Sequence, residues 1–451
     1  MSYRSRVATV YLLGFLIDLM NMFIASVAYP AIGHSLKASV AELAWIGNGY
    51  IMGLTLAIPL SAWLTLHLGA RRLLLLSLSL FIFATLQCGM SHSLFSLLFW
   101  RAIQGAGGGL LIPVGQALTW QLYAKHERAW LSAAVMLVGL LAPALSPTLG
   151  GWLAQSFSWR WIFFASVAVA LPTLLLALLW LKPQLSSAEK RPLDFAGLLA
   201  GCGGLFFTLL AMTRLGEAGT NWLTAGYVSA GAVLLIFFTR RSLRHPAPLL
   251  KLSLLADPLM AFSSLVYQFV PGVFIGVSLL AMLYLQGSGF SATQAGALMI
   301  PWAMASFAAI SLTGKTFNRL GPRPLIVAGC LCQAMGILLL AHSLPMAAFT
   351  LMGAGGSLCS SAAQSSAFLS VSDSQLSDAS ALWNINRQLS FCFGIALLTL
   401  LFNQFTHFFS RPLAYKLTFY SAAAITLLPI LLSLGFNNSA VKRLLTHLEK
   451  P

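Results

Sequence analysis

The residues of this chain most able to do chemistry are charged side chains inside long apolar runs. Asp18, Arg101 and Arg387 each stand within such a run, where a bare charge kept from water is costly. Asp18 therefore needs a wet cavity, a partner or a proton, and it is a candidate for proton coupling or substrate contact. Its alternative is a structural carboxylate that is hydrogen-bonded between helices or lies nearer the end of its run.

Arg101 does not shed its charge by deprotonating, so an anion, a cluster of carbonyl groups or water must answer it. Gln104 follows one helical turn later and can support it. The candidate partners of Arg101 are Asp18 and a bound anionic substrate. The alternative is a purely structural link between Arg101 and the carbonyl groups of neighbouring helices.

Arg387 is flanked by Asn384 and Gln388, and this set of donors suits oxygen-rich ligands. The cluster is a candidate substrate-binding site; its alternative is that Arg387 lies near a membrane boundary and reaches out to water. Further polar and aromatic residues within apolar runs are candidates for lining a substrate cavity: Asn21, Tyr267, Gln268, Trp302, Gln364 and Trp383. For the aromatic residues among them, packing or a place at a membrane interface is the alternative.

The composition indicates what kind of protein positions these residues. Of the 451 residues, 58% are hydrophobic, 8% are charged and only ten are acidic. A soluble fold would lack enough charge to cover its surface, which excludes a soluble enzyme. The net charge of +16 is scattered between apolar runs, without the basic groove of a nucleic-acid-binding protein. The six cysteines have neither CxxC nor histidine ligand spacing, so we expect no disulfide framework, metal site or cofactor.

The apolar runs predict membrane-spanning helices. Such a helix needs about 20 apolar residues, and the sequence contains fourteen runs of roughly that length. We therefore predict an all-α polytopic membrane protein. The predicted spans are 7–30, 44–66, 72–90, 94–118, 130–153, 160–182, 194–213, 222–239, 259–285, 292–312, 324–342, 346–370, 377–405 and 415–436.

The basic residues predict the orientation. If the N-terminus is cytoplasmic, nineteen of the 26 Lys and Arg residues fall inside, five fall outside, and Arg101 and Arg387 lie within spans. This asymmetry predicts that both termini are cytoplasmic. The sequence contains no G-x-x-x-x-G-K-[ST] loop to hold ATP. Energy for transport would therefore come from an ion gradient or from the gradient of the substrate itself.

Two similar turns occupy corresponding places in the two halves of the chain. One contains Gly69 and Arg71, and the other contains Gly321 and Arg323, 252 residues later. A repeat of this kind is typical of transporters whose substrate site lies near the membrane midplane, between the repeats. Both turns resemble the motif G-x-L-A-D-R-x-G-R-K of the major facilitator superfamily. In that family an acidic side chain of the motif helps latch the two halves on the cytoplasmic side.

Further motifs resemble the fourteen-helix drug:proton antiporter branch of that superfamily, over nearly the whole chain. The run from Arg101 through Gln104 and Gly105 is similar to the helix-4 motif R-x-x-Q-G-x-G. Residues 141–151 resemble the helix-5 motif G-P-x-x-G-G, and the residues concerned are Pro143, Pro147, Gly150 and Gly151. The resemblance implies two six-helix bundles, residues 1–183 and 256–451, with two extra helices and their linkers in residues 184–255.

The resemblance also implies roles for particular residues. Arg101 would act with an acid of the first helix in proton exchange, and helix 5 would bend at Pro147 as the transporter changes state. The chain departs from the pattern in the first helix, where Asn21 stands at the usual aspartate position and Asp18 lies three residues earlier. It departs again in the repeated turns, where Leu66 and His67 stand at the D-R positions of the motif in the first turn and Asn318 stands at the Asp position in the second. We therefore expect the cytoplasmic latch to be weakened or rewired.

Taken together, these patterns predict a proton-coupled antiporter of a bacterial inner membrane that exports drugs or metabolites. Its partners would be a small-molecule substrate, protons and the lipid bilayer, with a periplasmic adaptor and an outer-membrane channel as further candidates and no nucleic acid. One alternative is a dedicated exporter of an anionic, oxygen-rich metabolite such as a carboxylate siderophore. A remote alternative is a membrane sensor or enzyme that does not transport.

Overall fold

The computed structural model describes residues 2–38, 40–183, 192–218, 221–246, 248–290, 297–434 and 441. Within these ranges the regular structure is helical and no strand is present. The α-helices of the described ranges are α1 Tyr3–Val27, α2 Tyr29–Leu36, α3 Val40–Leu68, α4 Ala70–Gly89, α5 Leu94–Leu122, α6 Arg128–Ser156, α7 Trp161–Trp180, α8 Phe195–Ala218, α9 Trp222–Arg244, α10 Pro258–Tyr267, α11 Val273–Gly287, α12 Met299–Leu320, α13 Pro322–Ala341, α14 Pro345–Ala367, α15 Leu376–Phe408, α16 Arg411–Thr426 and α17 Leu428–Leu434.

Each predicted span corresponds to one of these helices or to a broken pair, so the all-α polytopic prediction is confirmed. The first span breaks at Ala28 between α1 and α2, and the last breaks at Leu427 between α16 and α17. The ninth span is α10 and α11, joined by a π-helical turn at Gln268–Gly272. Eleven segments of the described chain are long and apolar enough to cross a membrane, and α6 adds a shorter apolar stretch, Arg128–Ala142.

The two similar turns adopt the same backbone conformation. Gly69 joins α3 to α4 with φ 79°, and Gly321 joins α12 to α13 with φ 76°. A residue with a side chain rarely adopts this positive φ, so glycine suits both turns. The repeat seen in the sequence is therefore also a repeat of local structure.

The helices pack mainly within each half of the chain. In the N-terminal half, α5 packs against α1, α3 and α4, while α1 also contacts α6 and α7. In the C-terminal half, α14 packs against α10, α12 and α13, and α11 packs against α15. Helices α8 and α9 pack on each other, and α8 contacts α3 and α15, one helix from each half. The domain boundaries after residues 183 and 255 stay predictions.

The halves meet through α5 with α15, α3 with α15, and α6 with α12 and α14. We call the end of the bundle where α1 begins the proximal face. It also carries the end of α5 and the beginnings of α6 and α15. The opposite end is the distal face.

Candidate functional site

Asp18 lies in the middle of α1, and its side chain is almost completely buried, with 1% of its surface exposed. The hydroxyl group of Tyr50, on α3, donates a hydrogen bond to Asp18 Oδ1. A Cβ atom at Gly108 of α5 would collide with the same carboxylate, so glycine at that position leaves room for it. Asp18 is therefore enclosed by α3 and α5 within the N-terminal half.

Arg101 of α5 is fully buried, and each of its side-chain nitrogens donates a hydrogen bond. Nε donates to the Ile46 carbonyl at 3.1 Å, Nη1 donates to Gln104 Oε1 at 2.7 Å, and Nη2 donates to the Asn21 carbonyl at 3.3 Å. The guanidinium also lies over the Tyr50 ring, 4.5 Å from its centre. The partners found for Arg101 are thus carbonyl groups and an amide.

Gln104 makes a second contact with α1 and extends this network to α4. Its Nε2 atom donates to Asn21 Oδ1 of α1 at 2.9 Å and to Thr85 Oγ1 of α4 at 2.8 Å. Asn21 in turn donates from Nδ2 to the Ile17 carbonyl at 3.0 Å. The sequence-predicted residues Asn21, Arg101 and Gln104 are therefore brought together in one buried network.

Tyr50 connects Asp18 to this network, and the sequence reasoning missed it. Its hydroxyl group contacts Asp18 while its ring faces the Arg101 guanidinium. Within the described residues no ion pair joins Asp18 to Arg101 directly. The available signal was a tyrosine in the middle of the apolar run 44–66. We call Asp18, Asn21, Tyr50, Arg101 and Gln104 the N-terminal polar centre.

Arg387 lies in the interior of α15 with 5% of its surface exposed. Its guanidinium lies over the ring of Phe15, 5.0 Å from the ring centre. Phe15 belongs to α1 of the other half and lies about one helical turn before Asp18. The Nε and Nη2 atoms of Arg387 are buried and have no hydrogen-bond partner in the described part of the chain.

The neighbours of Arg387 differ in what they contact. Asn384 donates to Gln116 Oε1 of α5 at 2.7 Å, which joins the two halves. Gln388 is buried. Gln268 donates to Asn386 Oδ1 at 3.1 Å. Gln268, in the π-helical turn after α10, is thus joined to α15 at the residue before Arg387.

Aromatic residues from both halves close the bundle on the proximal side of Arg387. The rings form a continuous series of neighbours: Tyr11 to Trp120 at 6.2 Å, Trp120 to Phe368 at 5.7 Å, Phe368 to Trp383 at 6.1 Å, and Trp383 to Tyr267 at 5.1 Å. We call these five residues the aromatic collar. Trp302 is not part of it, because it stacks on Phe274 at 5.5 Å. Gln364 is buried in α14.

Polar contacts join the halves at the proximal face. Arg128 donates to the Phe368 carbonyl at 2.9 Å and forms an ion pair with Asp373 at 3.1 Å. Gln121 donates to the Asp373 carbonyl at 3.3 Å. Arg128 is one of the nineteen basic residues that the sequence analysis assigned to the cytoplasmic side. Its partner stands 245 residues away, a pairing that the sequence does not reveal.

The motif residues take up several structural positions. Asn318 donates to the His126 carbonyl at 2.9 Å, a contact between the halves, and Arg71 donates to the Leu178 carbonyl of α7 at 3.1 Å. A Cβ atom at Gly105 would collide with the backbone of Tyr50, and one at Gly150 would lie 2.7 Å from Ile24. The α6 helix continues through the remaining three motif positions. The side-chain placement at these three lies outside the described residues: Pro143, Pro147 and Gly151.

Comparison with known proteins adds the family. The family model described as Major Facilitator Superfamily matches residues 11–395. An uncharacterized MFS-type transporter of Bacillus subtilis (strain 168), YhcA, is 29% identical over 325 residues, which cover 71% of this chain. The match spans 61% of that relative, less than two thirds of its length. A multidrug resistance protein B homolog of Mycobacterium tuberculosis is 27% identical over 416 residues, which cover 89% of this chain and 77% of the relative.

A solved structure shows the same fold. The proton:xylose symporter XylE bound to 6-bromo-6-deoxy-D-glucose matches with a TM-score of 0.68 at 15% identity, over 96% of each chain. At this level of identity the likeness concerns the arrangement of the helices alone.

Proposed function

Because the chain belongs to the Major Facilitator Superfamily, we propose that it exports a small molecule across the bacterial inner membrane by alternating access, driven by proton entry. The chain is a multi-pass membrane protein of a transporter family. The Mycobacterium tuberculosis relative is named a multidrug resistance protein, which supports efflux as the direction.

The observation that carries the proton step is the enclosure of Asp18. A carboxylate buried in a membrane bundle is much less costly when it holds a proton, so it is suited to exchange one. The Tyr50 hydroxyl group holds Asp18 Oδ1, and Arg101 keeps a permanent positive charge on the far side of the Tyr50 ring. In this proposal Asp18 carries the proton, and Tyr50 and Arg101 position it and set the charge around it.

The contacts between the halves support alternating access. Arg128 with Asp373 and Asn318 with His126 join the halves at the proximal face. Access from that face requires these contacts to break. Gly150 packs closely against Ile24 of α1, and Pro147 interrupts the hydrogen-bond ladder of α6. Bending of α6 at these residues would accompany the exchange.

Transport by everted membrane vesicles tests the proposal. Vesicles from cells with and without the gene are energised by respiration and offered a panel of labelled compounds that includes ethidium and salicylate. We expect gene-dependent uptake into the vesicles, and we expect a proton uncoupler to abolish it. Gene-dependent uptake that continues unchanged with the uncoupler would refute proton drive. No gene-dependent movement of any compound in the panel would count against efflux.

A second candidate is favoured by one specific observation. Arg387 presents two buried donors without partners in the described chain, which favours the dedicated export of an anionic, oxygen-rich compound. This candidate differs from general drug efflux in the substrate and shares its mechanism.

A further inference from the structure

Arg387 has hydrogen-bonding capacity that its surroundings leave unused. It is buried to the same degree as the core, yet Nε and Nη2 have no partner in the described chain. A buried donor without a partner is destabilising, and more so when it carries a charge. A ligand that accepts from these two nitrogens would remove this cost.

The two unpartnered atoms belong to the same edge of the guanidinium group. The N–H bonds of Nε and Nη2 on this edge are parallel, so the edge can bind both oxygens of a carboxylate at once. One flat face of the guanidinium group lies over the Phe15 ring, with Cζ 5.0 Å from the ring centre. The free edge therefore matches a planar oxyanion.

The charges around Arg387 also favour an anion. Arg387 and Arg101 are both buried, and both act electrostatically on the buried Asp18 carboxylate. The Tyr50 hydroxyl group already binds Asp18 Oδ1, and no ion pair joins Asp18 to Arg387 in the described chain. With Asp18 holding a proton, as the proposed function has it, an entering cation would meet two positive charges and no carboxylate, whereas an anion would balance one of those charges.

Further unpartnered donors follow the same face of α15. Ser380, Trp383 and Arg387 are spaced by three and four residues, which places them along one side of the helix. Ser380 Oγ and Trp383 Nε1 are buried without a hydrogen-bond partner in the described chain. The Tyr267 ring lies beside Trp383 at 5.1 Å. This side of α15 therefore offers donors together with flat apolar surfaces.

We propose that Arg387 is the anion-binding residue of the transport site, and that the substrate is an organic oxyanion with a flat, ring-containing body. The oxyanion binds the Nε and Nη2 edge of Arg387, and the ring packs against Phe15, Tyr267 and Trp383. This assignment rests on the proposed function, because it names the substrate class of the transporter's central site.

Equilibrium binding to the purified full-length protein in lipid nanodiscs tests the assignment. The probes are salicylate, neutral salicylamide and cationic benzylammonium, which have similar rings and differ in charge. We expect wild type to bind salicylate at least about tenfold more tightly than salicylamide, as a charge-assisted pair of hydrogen bonds provides. Arg387→Gln should remove this preference. Arg387→Lys should keep part of it, since it retains the charge and loses the fork.

The control variant is Arg411→Gln, which removes the same charge from an exposed position at the start of α16 and should bind salicylate like wild type. Gel filtration establishes that each variant is folded. Equal binding of salicylate and salicylamide by wild type overturns the assignment, as does a salicylate preference that survives in Arg387→Gln, or tightest binding of benzylammonium. No proton gradient is present, so a failure here leaves uncoupler-sensitive efflux to be judged separately in vesicles.

Discussion

The two buried arginines of the bundle centre differ in how their charges are accommodated. Arg101 donates from all three nitrogens to groups of α1, α3 and α5. Arg387 leaves two nitrogens without a partner in the described chain and covers the Phe15 ring. Residue type and burial are therefore not enough to distinguish these two arginines. The partners of each nitrogen make that distinction.

The difference follows from where the partners lie. All of the groups that bind Arg101 belong to the N-terminal half, so in the proposed alternating access they would move together with it. Arg387 contacts the Phe15 ring of α1, which belongs to the opposite half. Asn384 also bonds across the halves, to Gln116 of α5. An interaction within a half can persist through the transport cycle, whereas one between halves must change. The N-terminal polar centre is thus suited to hold a proton, and Arg387 to bind and release a ligand.

The largest expected effect comes from Asp18→Asn. The amide keeps the shape of the carboxylate and can still hydrogen-bond, but it no longer titrates, so we expect proton-driven export to fall to the level of cells without the gene. Everted-vesicle uptake measures this, and gel filtration monitors folding. Asp257→Asn is the matched control, because Asp257 caps α10 outside the centre and asparagine caps equally well. Continued concentration of substrate by Asp18→Asn would show that coupling lies elsewhere.

The same substitution at both arginines should separate them by stability. Arg101→Lys keeps the charge and loses at least two hydrogen bonds, which costs about 1–3 kcal/mol. Arg387→Lys loses no hydrogen bond from Nε or Nη2, so we expect its thermal stability to equal that of wild type. Thermal unfolding of the purified proteins without added ligand compares them. Equal destabilisation of both variants would contradict the difference in hydrogen bonding between Arg101 and Arg387.

A smaller effect is expected from Tyr50→Phe. The substitution removes the hydroxyl group that binds Asp18 and keeps the ring that faces Arg101. One hydrogen bond of this kind corresponds to a decrease in export of roughly two- to tenfold. Tyr227→Phe is the control, since Tyr227 lies in α9 and stacks on Phe207 far along the chain from the centre. If both variants transport like wild type, the Tyr50 hydroxyl group has no part in coupling.

The smallest effect concerns Asp194, a buried carboxylate away from the centre. Burial alone would raise its pKa, but the Gly197 backbone N–H and the Arg241 guanidinium hold the pKa of Asp194 below its usual value. A carboxyl group whose pKa is lowered in the folded state stabilises the protein at pH values above its ordinary pKa of about 3.9. This stabilisation is lost as pH falls through the lowered pKa.

The thermal stability of wild type should therefore exceed that of Asp194→Asn near neutral pH, by under about 1 kcal/mol because Arg241 is partly exposed. The difference should shrink at pH values below about 4. Unfolding measured from pH 7 to pH 3 checks this. A stability difference that grows towards low pH would show that the pKa of Asp194 is raised and not lowered in the folded protein. Unchanged export by Asp194→Asn at neutral pH would show that Asp194 acts separately from the N-terminal polar centre.

The sequence predicted more about the N-terminal polar centre than about the interface between the halves. Asn21, Arg101 and Gln104 were recognisable because polar residues in apolar runs must turn away from lipid and satisfy one another. Tyr50 was less visible, because a tyrosine in a membrane helix has many uses. The proximal contact of Arg128 with Asp373 was hidden, since both residues read as ordinary loop charges.

What the sequence determined by itself is the helical, membrane-spanning class of the protein, the spans and three of the buried charges, Asp18, Arg101 and Arg387. These follow from local rules, because a backbone in lipid must satisfy its hydrogen bonds within its own helix and a charge there must find a partner. Only the tertiary structure decided which charges found partners. Arg101 reaches three acceptors because α3 and α1 approach α5 closely, while no such acceptor approaches the free edge of Arg387 in the described chain. That distinction depends on distances of about 3 Å between segments far apart in sequence, and local patterns carry no record of them.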